Sequence, residues 1–249
     1  MKKKHSALLR TLLLTAIPFT IIFAFTIPVG GEVPAVSYAS SAAVSQENPE
    51  PVDIPQEGIY DLMLDSVCGP LTYYNQTDAR WGNYLYGGQD PLSIYGCGPT
   101  VMAMLITSLT GNHVLPTDLA QWASSNKSWA PGEGSYHRLI SDSASAYGLT
   151  AEPLKDYTAR GIKDTLNSGY LIVALMNKGH FTQQGHFIII TSFTEEGKLR
   201  ISDSNNYDHT LMEWEASLIL QELKYRSSNG GPLWKIIPYN KNPAPPDEY

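Results

Sequence analysis

Gly96-Cys97-Gly98-Pro99-Thr100 places a thiol between two glycines at the head of an apolar run, Val101 to Ile106 with Leu109, that has helical length and stops at Gly111. A cysteine at a helix start faces unpaired backbone N–H groups and the positive end of the helix dipole. Both favour the thiolate, which is the reactive form. Glycine on either side is expected to let a substrate backbone approach the sulfur with no Cβ in the way. The pattern fits a nucleophile, with a buried structural cysteine as the alternative this window leaves open. Further along, His186 begins one β-branched run and Asp203 ends the next, and Thr194-Glu195-Glu196-Gly197 between them reads as a hairpin turn. An even-numbered loop there would pair the strands so that His186, Asp203 and Asn205 share one face. A carboxylate or amide beside an imidazole fixes its tautomer and stabilises the imidazolium formed when it takes a thiol proton. A histidine at the mouth of a strand, satisfied by an ordinary surface carboxylate, is the competing reading.

The elements that must position these groups change in kind along the chain. Helices are expected at Cys97 to Thr110, Thr117 to Ser124, Tyr136 to Tyr147 before Gly148, and Ala159 to Asn167 before Gly169. Strands are expected at Tyr170 to Met176, His186 to Phe193 and Lys198 to Asp203, with a further helix over Leu211 to Leu223 and a closing strand from Leu233 to Tyr239. A helical half carrying the thiol, followed by an antiparallel sheet, is α+β architecture.

Flanking segments differ in composition. Met1-Lys2-Lys3-Lys4 precedes an apolar stretch from Leu12 to Val29, and Ser37-Tyr38-Ala39 offers small residues of the kind a signal peptidase reads. Residues 1–39 are therefore expected to be a signal peptide or, if uncleaved, an N-terminal membrane anchor, which puts the protein outside the cell or on its surface. Residues 40–58, rich in Ser, Ala, Pro and Glu, read as a flexible linker, residues 59–239 as one domain, and residues 240–249, with Pro243, Pro245 and Pro246, as a disordered tail.

The formal charge of the 249 residues is -7, from 17 basic and 24 acidic side chains. Lys2, Lys3, Lys4, Arg10 and Glu32 belong to the first segment, so 13 basic face 23 acidic residues in the remainder. Such a balance argues against nucleic acid, and against membrane contact other than through the N-terminal segment. No metal or cofactor motif is recognisable, since there is no His-Glu-x-x-His, paired Cys-x-x-Cys, phosphate-binding glycine loop or calcium loop. Cys68 and Cys97 are the only cysteines, and in an exported chain they could form a disulfide or a reversible redox lock.

Gln76-Thr77-Asp78-Ala79-Arg80-Trp81, Gly96-Cys97-Gly98-Pro99-Thr100, Gly185-His186-Phe187 and Asp203 together resemble the ordered signature of the C39-like cysteine peptidases, a papain-like superfamily, over most of Tyr73 to Ile237. The resemblance implies a papain-like fold, Cys97 as nucleophile, His186 as general base, Asp203 as the group that orients it, and Gln76 as donor to the oxyanion. The family's usual Asp-Pro is Asp203-Ser204-Asn205 here, which keeps Asn205 open as the orienting residue. His180, in Gly179-His180-Phe181, is a rival to His186 that, from its loop position, is expected in a rim or substrate-contacting role, and Arg80 and Trp81 are expected to pack or pair structurally. The implied activity is hydrolysis of an amide bond through a thioester acyl-enzyme. It would act as a monomer on an extracellular peptide or on the peptide part of peptidoglycan. A non-catalytic peptide- or wall-binding domain of the same fold is the alternative.

Overall fold

The computed structural model describes residues 62–238. The expected signal or anchor, the linker and the tail lie outside the described residues. The architecture is α+β, and every strand pair is antiparallel. A hairpin of β1 (Leu62–Leu64) and β2 (Leu71–Tyr73) comes first, followed by a second, β3 (Leu85–Tyr86) and β4 (Asp90–Pro91). The short helix α1 (Leu92–Tyr95) leads through Gly96 into α2 (Cys97–Thr110), and α3 (Pro116–Ser125) follows. A small ribbon of β5 (Trp129–Ala130) and β6 (Gly134–Ser135) precedes α4 (Arg138–Ala146).

The main sheet is built from β7 (Leu149–Pro153), β8 (Leu171–Met176), β9 (His186–Phe193), β10 (Leu199–Ser202), β11 (Glu213–Trp214) and β12 (Leu233–Pro238), in the order β11-β10-β9-β8-β12-β7. The remaining helices are α5 (Ala159–Asn167), α6 (Tyr207–Leu211) and α7 (Ala216–Gln221).

Alternation along the central strands gives the sheet two cores. Leu171, Val173 and Leu175 of β8 and Phe187 and Ile189 of β9 join the buried face of α2, including Val101, Met102, Leu105 and Ile106. Ile172, Ala174 and Met176, with Ile188 and Ile190, face the other way and pack with Ile162 and Leu166 of α5 and Ile219 of α7. Both β8 and β9 read as nearly continuous apolar runs because both faces are covered. Helix α2 is buried at nine consecutive positions, Gly98 to Ile106, of which Val101 to Ile106 are all apolar, and it ends on Gly111 in the left-handed region (φ 76°), where a residue without Cβ costs least.

One expectation is corrected. Leu211 to Leu223 is not one helix: Glu213 and Trp214 pair with Arg200 and Leu199 on the sheet edge, and an Arg200–Glu213 ion pair at 2.9 Å spans the same rung. The segment divides into the end of α6, β11 and α7 because edge pairing overrides helical periodicity. In addition, Leu149–Pro153 is a strand that the sequence concealed, since Ala151, Glu152 and Pro153 are poor strand formers that only an edge position beside β12 tolerates.

Candidate active site

The register between β9 and β10 decides which residues can meet His186. Thr194 donates its N–H to the Lys198 carbonyl, so the hairpin closes over three residues, Glu195, Glu196 and Gly197, with Gly197 at φ 87°. The loop is therefore odd, not even as the sequence reading required. Beyond it Phe193 faces Leu199 and Ser192 faces Arg200, but Ile190 faces Ile201 and Ile189 faces Ser202. Thr191 is the extra residue of a β-bulge. Continuing the first register would put Asp203 opposite Ile189, on the face away from His186. The bulge shifts the pairing by one residue and returns Asp203 to the face of Ile188 and His186. Its unpaired carbonyl is not orphaned, because the Thr191 oxygen accepts the Val67 N–H at 3.0 Å.

His186 Nε2 then donates to Asp203 Oδ1 at 2.6 Å, with the two side chains 5% and 1% exposed. Asp203 is held on all sides. Oδ1 also accepts the N–H groups of Asn205 at 2.9 Å and Asn206 at 3.3 Å, and Oδ2 meets His209 Nδ1 at 2.8 Å. Its own N–H donates to Thr210 Oγ1 at 3.0 Å, and its carbonyl accepts the Tyr73 hydroxyl at 2.9 Å. Burial pushes the Tyr73 phenol well above its usual range, with the Asp203 charge adding to it. Asn205 contributes a backbone N–H to the carboxylate, so of the two candidates it is Asp203 whose side chain reaches the imidazole.

Cys97 is the first residue of α2, half-buried, with no acidic side chain in the first helical turn. Since Nε2 of His186 is committed to Asp203, Nδ1 is the nitrogen left for the thiol. Burial alone would push the Cys97 thiol up. The hydrogen bond and charge of His186, with the backbone N–H groups of Phe187 and Gly98, outweigh that and hold it below its ordinary value of 9.0. Burial likewise disfavours the His186 imidazolium, but the hydrogen bond to Asp203, together with the hydrogen bond and charge of Cys97, raises it to about 10. Burial also opposes the Asp203 carboxylate, and the hydrogen bond and charge of His186 hold it below the usual range nonetheless. The two shifts are complementary, and the favoured state is a thiolate beside an imidazolium.

The glycines around Cys97 have a different purpose from the one expected. A Cβ on Gly98 would lie 2.8 Å from Ser135 Oγ and 2.9 Å from Leu139 Cδ2, so this glycine lets the start of α2 press against β6 and α4. Gly96 backs onto the Leu92 carbonyl in the same way. The glycines that line the cleft of about 380 Å³ beside Cys97 are instead Gly132, Gly134 and Gly185, together with Ile94 and Tyr95.

Gln76 is buried and bridges the two halves of the site. Its Nε2 donates to the Ser93 carbonyl of α1 at 3.1 Å and its Oε1 accepts the Ser204 hydroxyl at 3.1 Å. One amide hydrogen is thereby left over. His180 does not line the cleft: its N–H and Nδ1 both bond the Glu222 carboxylate, which fastens the β8–β9 connection to the end of α7. Arg80 forks onto Asp78 at 3.1 and 2.8 Å and stacks over Trp81, a structural role as expected.

Neither cysteine forms a disulfide. Cys68 Sγ bonds the Gly169 carbonyl at 3.1 Å, next to Leu171 at the start of β8, whereas His186 pairs with Met176 at its far end. Six strand residues separate these positions by roughly 16–20 Å, far beyond the reach of a disulfide. Cys97 is therefore not held in a disulfide with Cys68.

His209 is the site residue that sequence reasoning overlooked. Its signal was the Asn206 cap, whose side chain accepts the Asp208 N–H and starts α6 three residues beyond Asp203. Among the described residues no cluster of His, Cys, Asp and Glu could hold a metal ion, and no helix is long and apolar enough to cross a membrane.

Residues 70–230 match the model of the Peptidase_C39 like family. No curated protein matches the chain.

Proposed function

Because the chain belongs to the Peptidase_C39 like family, a family of cysteine-peptidase type with a papain-like fold, we propose that it is a thiol hydrolase of peptide amide bonds. The observation that carries this reading is the continuous contact of Cys97, His186 and Asp203, with the thiol lowered and the imidazole raised. In this mechanism the Cys97 thiolate attacks the scissile carbonyl carbon. The oxyanion that develops is met by the spare amide hydrogen of Gln76 and the Cys97 backbone N–H, at the unpaired N-terminus of α2.

The His186 imidazolium passes its Nδ1 proton to the leaving amine, and the C–N bond breaks to give a thioester. Neutral His186 then takes a proton from water as the water attacks the thioester, and the sulfur departs as the thiolate beside the regenerated imidazolium. Asp203 stays ionised throughout and holds the ring by Nε2. His209 positions the second carboxylate oxygen. The basic and apolar N-terminal segment supports an extracellular or surface location, where peptides and peptidoglycan peptides are the available amides.

Intact-mass analysis after brief iodoacetamide exposure at about pH 6, on the wild type and on His186→Ala, tests the reading. Fast labelling confined to Cys97 and slowed by His186→Ala is the expected result. Slow labelling that ignores His186 would overturn it in favour of a binding domain.

A further inference from the structure

The cleft beside Cys97 carries one cation, Lys224, whose purpose the mechanism leaves unexplained. Lys224 follows Leu223, which bridges to Met176, and Met176 in turn pairs with His186 on its other side. Leu223 and His186 therefore lie two strand spacings apart, about 10 Å. The Lys224 N–H is fixed to the Leu175 carbonyl at 2.9 Å. From this anchored backbone the side chain reaches across to Gly185, and Nζ comes within 3.1 Å of where a Gly185 Cβ would stand. Gly185 precedes His186.

Lys224 is half-buried as a residue, and its ammonium forms no ion pair with any described residue. An unpaired, partly desolvated charge costs free energy that a bound counter-ion can offset. In a chain of net charge -7 an unmatched lysine at the catalytic cleft also sets a local field opposite to that of the whole.

A second donor adjoins it. His137 Nδ1 accepts the Ser228 N–H at 3.0 Å, which leaves the hydrogen on Nε2. Burial, and next the Lys224 charge, push this imidazole below its ordinary value and keep it neutral. Lys224 and His137 line both the Cys97 cleft and an adjoining hollow of about 300 Å³, and so stand where the two meet. Glu133 also borders both hollows without pairing to Lys224, and it would disfavour an anion placed near it.

We propose that Lys224 and His137 form a carboxylate-binding subsite of the Cys97 cleft, so that the preferred substrates are peptides with an acidic side chain or a free C-terminal carboxylate close to the scissile bond. The proposal rests on the thiol-hydrolase reading for its substrate, but the subsite itself can be tested without turnover. Chloroacetyl derivatives of glycine, β-alanine and 4-aminobutyrate, each as free acid and as amide, alkylate Cys97 with loss of chloride and carry the carboxylate at graded distances.

At low salt and about pH 7, the acid should outpace its amide by about tenfold at the best spacer length. Lys224→Met should abolish that preference and Lys224→Arg should retain it. An acid-to-amide ratio that Lys224→Met leaves unchanged at every spacer length overturns the subsite. Failure of the hydrolase reading looks different: slow alkylation by acid and amide alike, insensitive to His186→Ala. Peptides carrying Glu or Gln at each internal position, and free or amidated C-termini, then separate the two sources of carboxylate. Cleavage with no preference for either source would also refute the proposal.

Discussion

Asp203→Asn isolates the charge that supports the imidazolium. The amide oxygen can replace Oδ1 in accepting His186 Nε2 and the two backbone N–H groups. The amide nitrogen can donate to His209 Nδ1 once that ring holds its proton on Nε2, so the variant keeps the hydrogen-bond count and should keep the fold. Only the charge-assisted character of a buried 2.6 Å bond is lost. Such bonds contribute about 1.5–3 kcal/mol, which at 1.36 kcal/mol per pH unit is about 1–2 units.

The thiolate–imidazolium pair then weakens from both ends. The pH at which Cys97 becomes reactive toward iodoacetamide should rise by about 1–2 units, and the pH at which His186 loses its proton should fall from about 10 by a similar amount. Stopped-flow alkylation across pH reads the first, and NMR titration of the His186 ring reads the second. An alkylation profile that superimposes on the wild type would show that Asp203 does not sustain the pair electrostatically, and the argument from its burial would fail.

Gln76→Ala should lower turnover of a cleavable peptide by about 10²–10³, the usual loss for one oxyanion donor, while the alkylation rate of Cys97 stays near wild type. His209→Gln, which can still donate to Asp203 Oδ2, should alkylate at close to the wild-type rate, whereas His209→Ala should be about two- to tenfold slower at pH 6, the loss of one hydrogen bond to Asp203. Stability should depend on pH on both flanks. The raised His186 contributes stabilisation that is complete below its unfolded value of 6.5 and lost as pH rises through about 10; the lowered Asp203 contributes stabilisation present above 3.8 and lost as pH falls through its folded value. Thermal melts across pH should therefore decline at both extremes. Diamide treatment should leave no Cys68–Cys97 bridge, which non-reducing peptide mapping would detect.

Much of the site was legible because its parts are local. Gly96 to Gly111 announces a buried helix by the apolar run Val101 to Ile106 and a glycine stop, and His186 to Phe193 announces a doubly covered strand by its isoleucines. What sequence could not supply was relative placement. The bulge at Thr191 has no side-chain signature, since threonine suits a regular strand equally well. Its existence depends on Val67, more than a hundred residues earlier, taking up the spare carbonyl. The misread purpose of Gly98 has the same origin, because Ser135 and Leu139 press against it only in the folded chain. His209 was hidden in a segment read as part of no element, and Leu149 to Pro153 in residues whose intrinsic preference is not for strand. Pattern reveals what an element is, and long-range contact determines what it meets.

The pairing of Cys97 with His186 across two layers of the fold has a temporal consequence. The thiol sits on a helix that can form early from local contacts, but the imidazole and its carboxylate arrive only when β9 and β10 have paired with the bulge in place. Until then Cys97 is an ordinary thiol, protonated at neutral pH and slow toward electrophiles. The newly made chain is thus latent by construction: its reactivity is an outcome of folding, and the appearance of a fast-alkylating sulfur is a clock for the last long-range step.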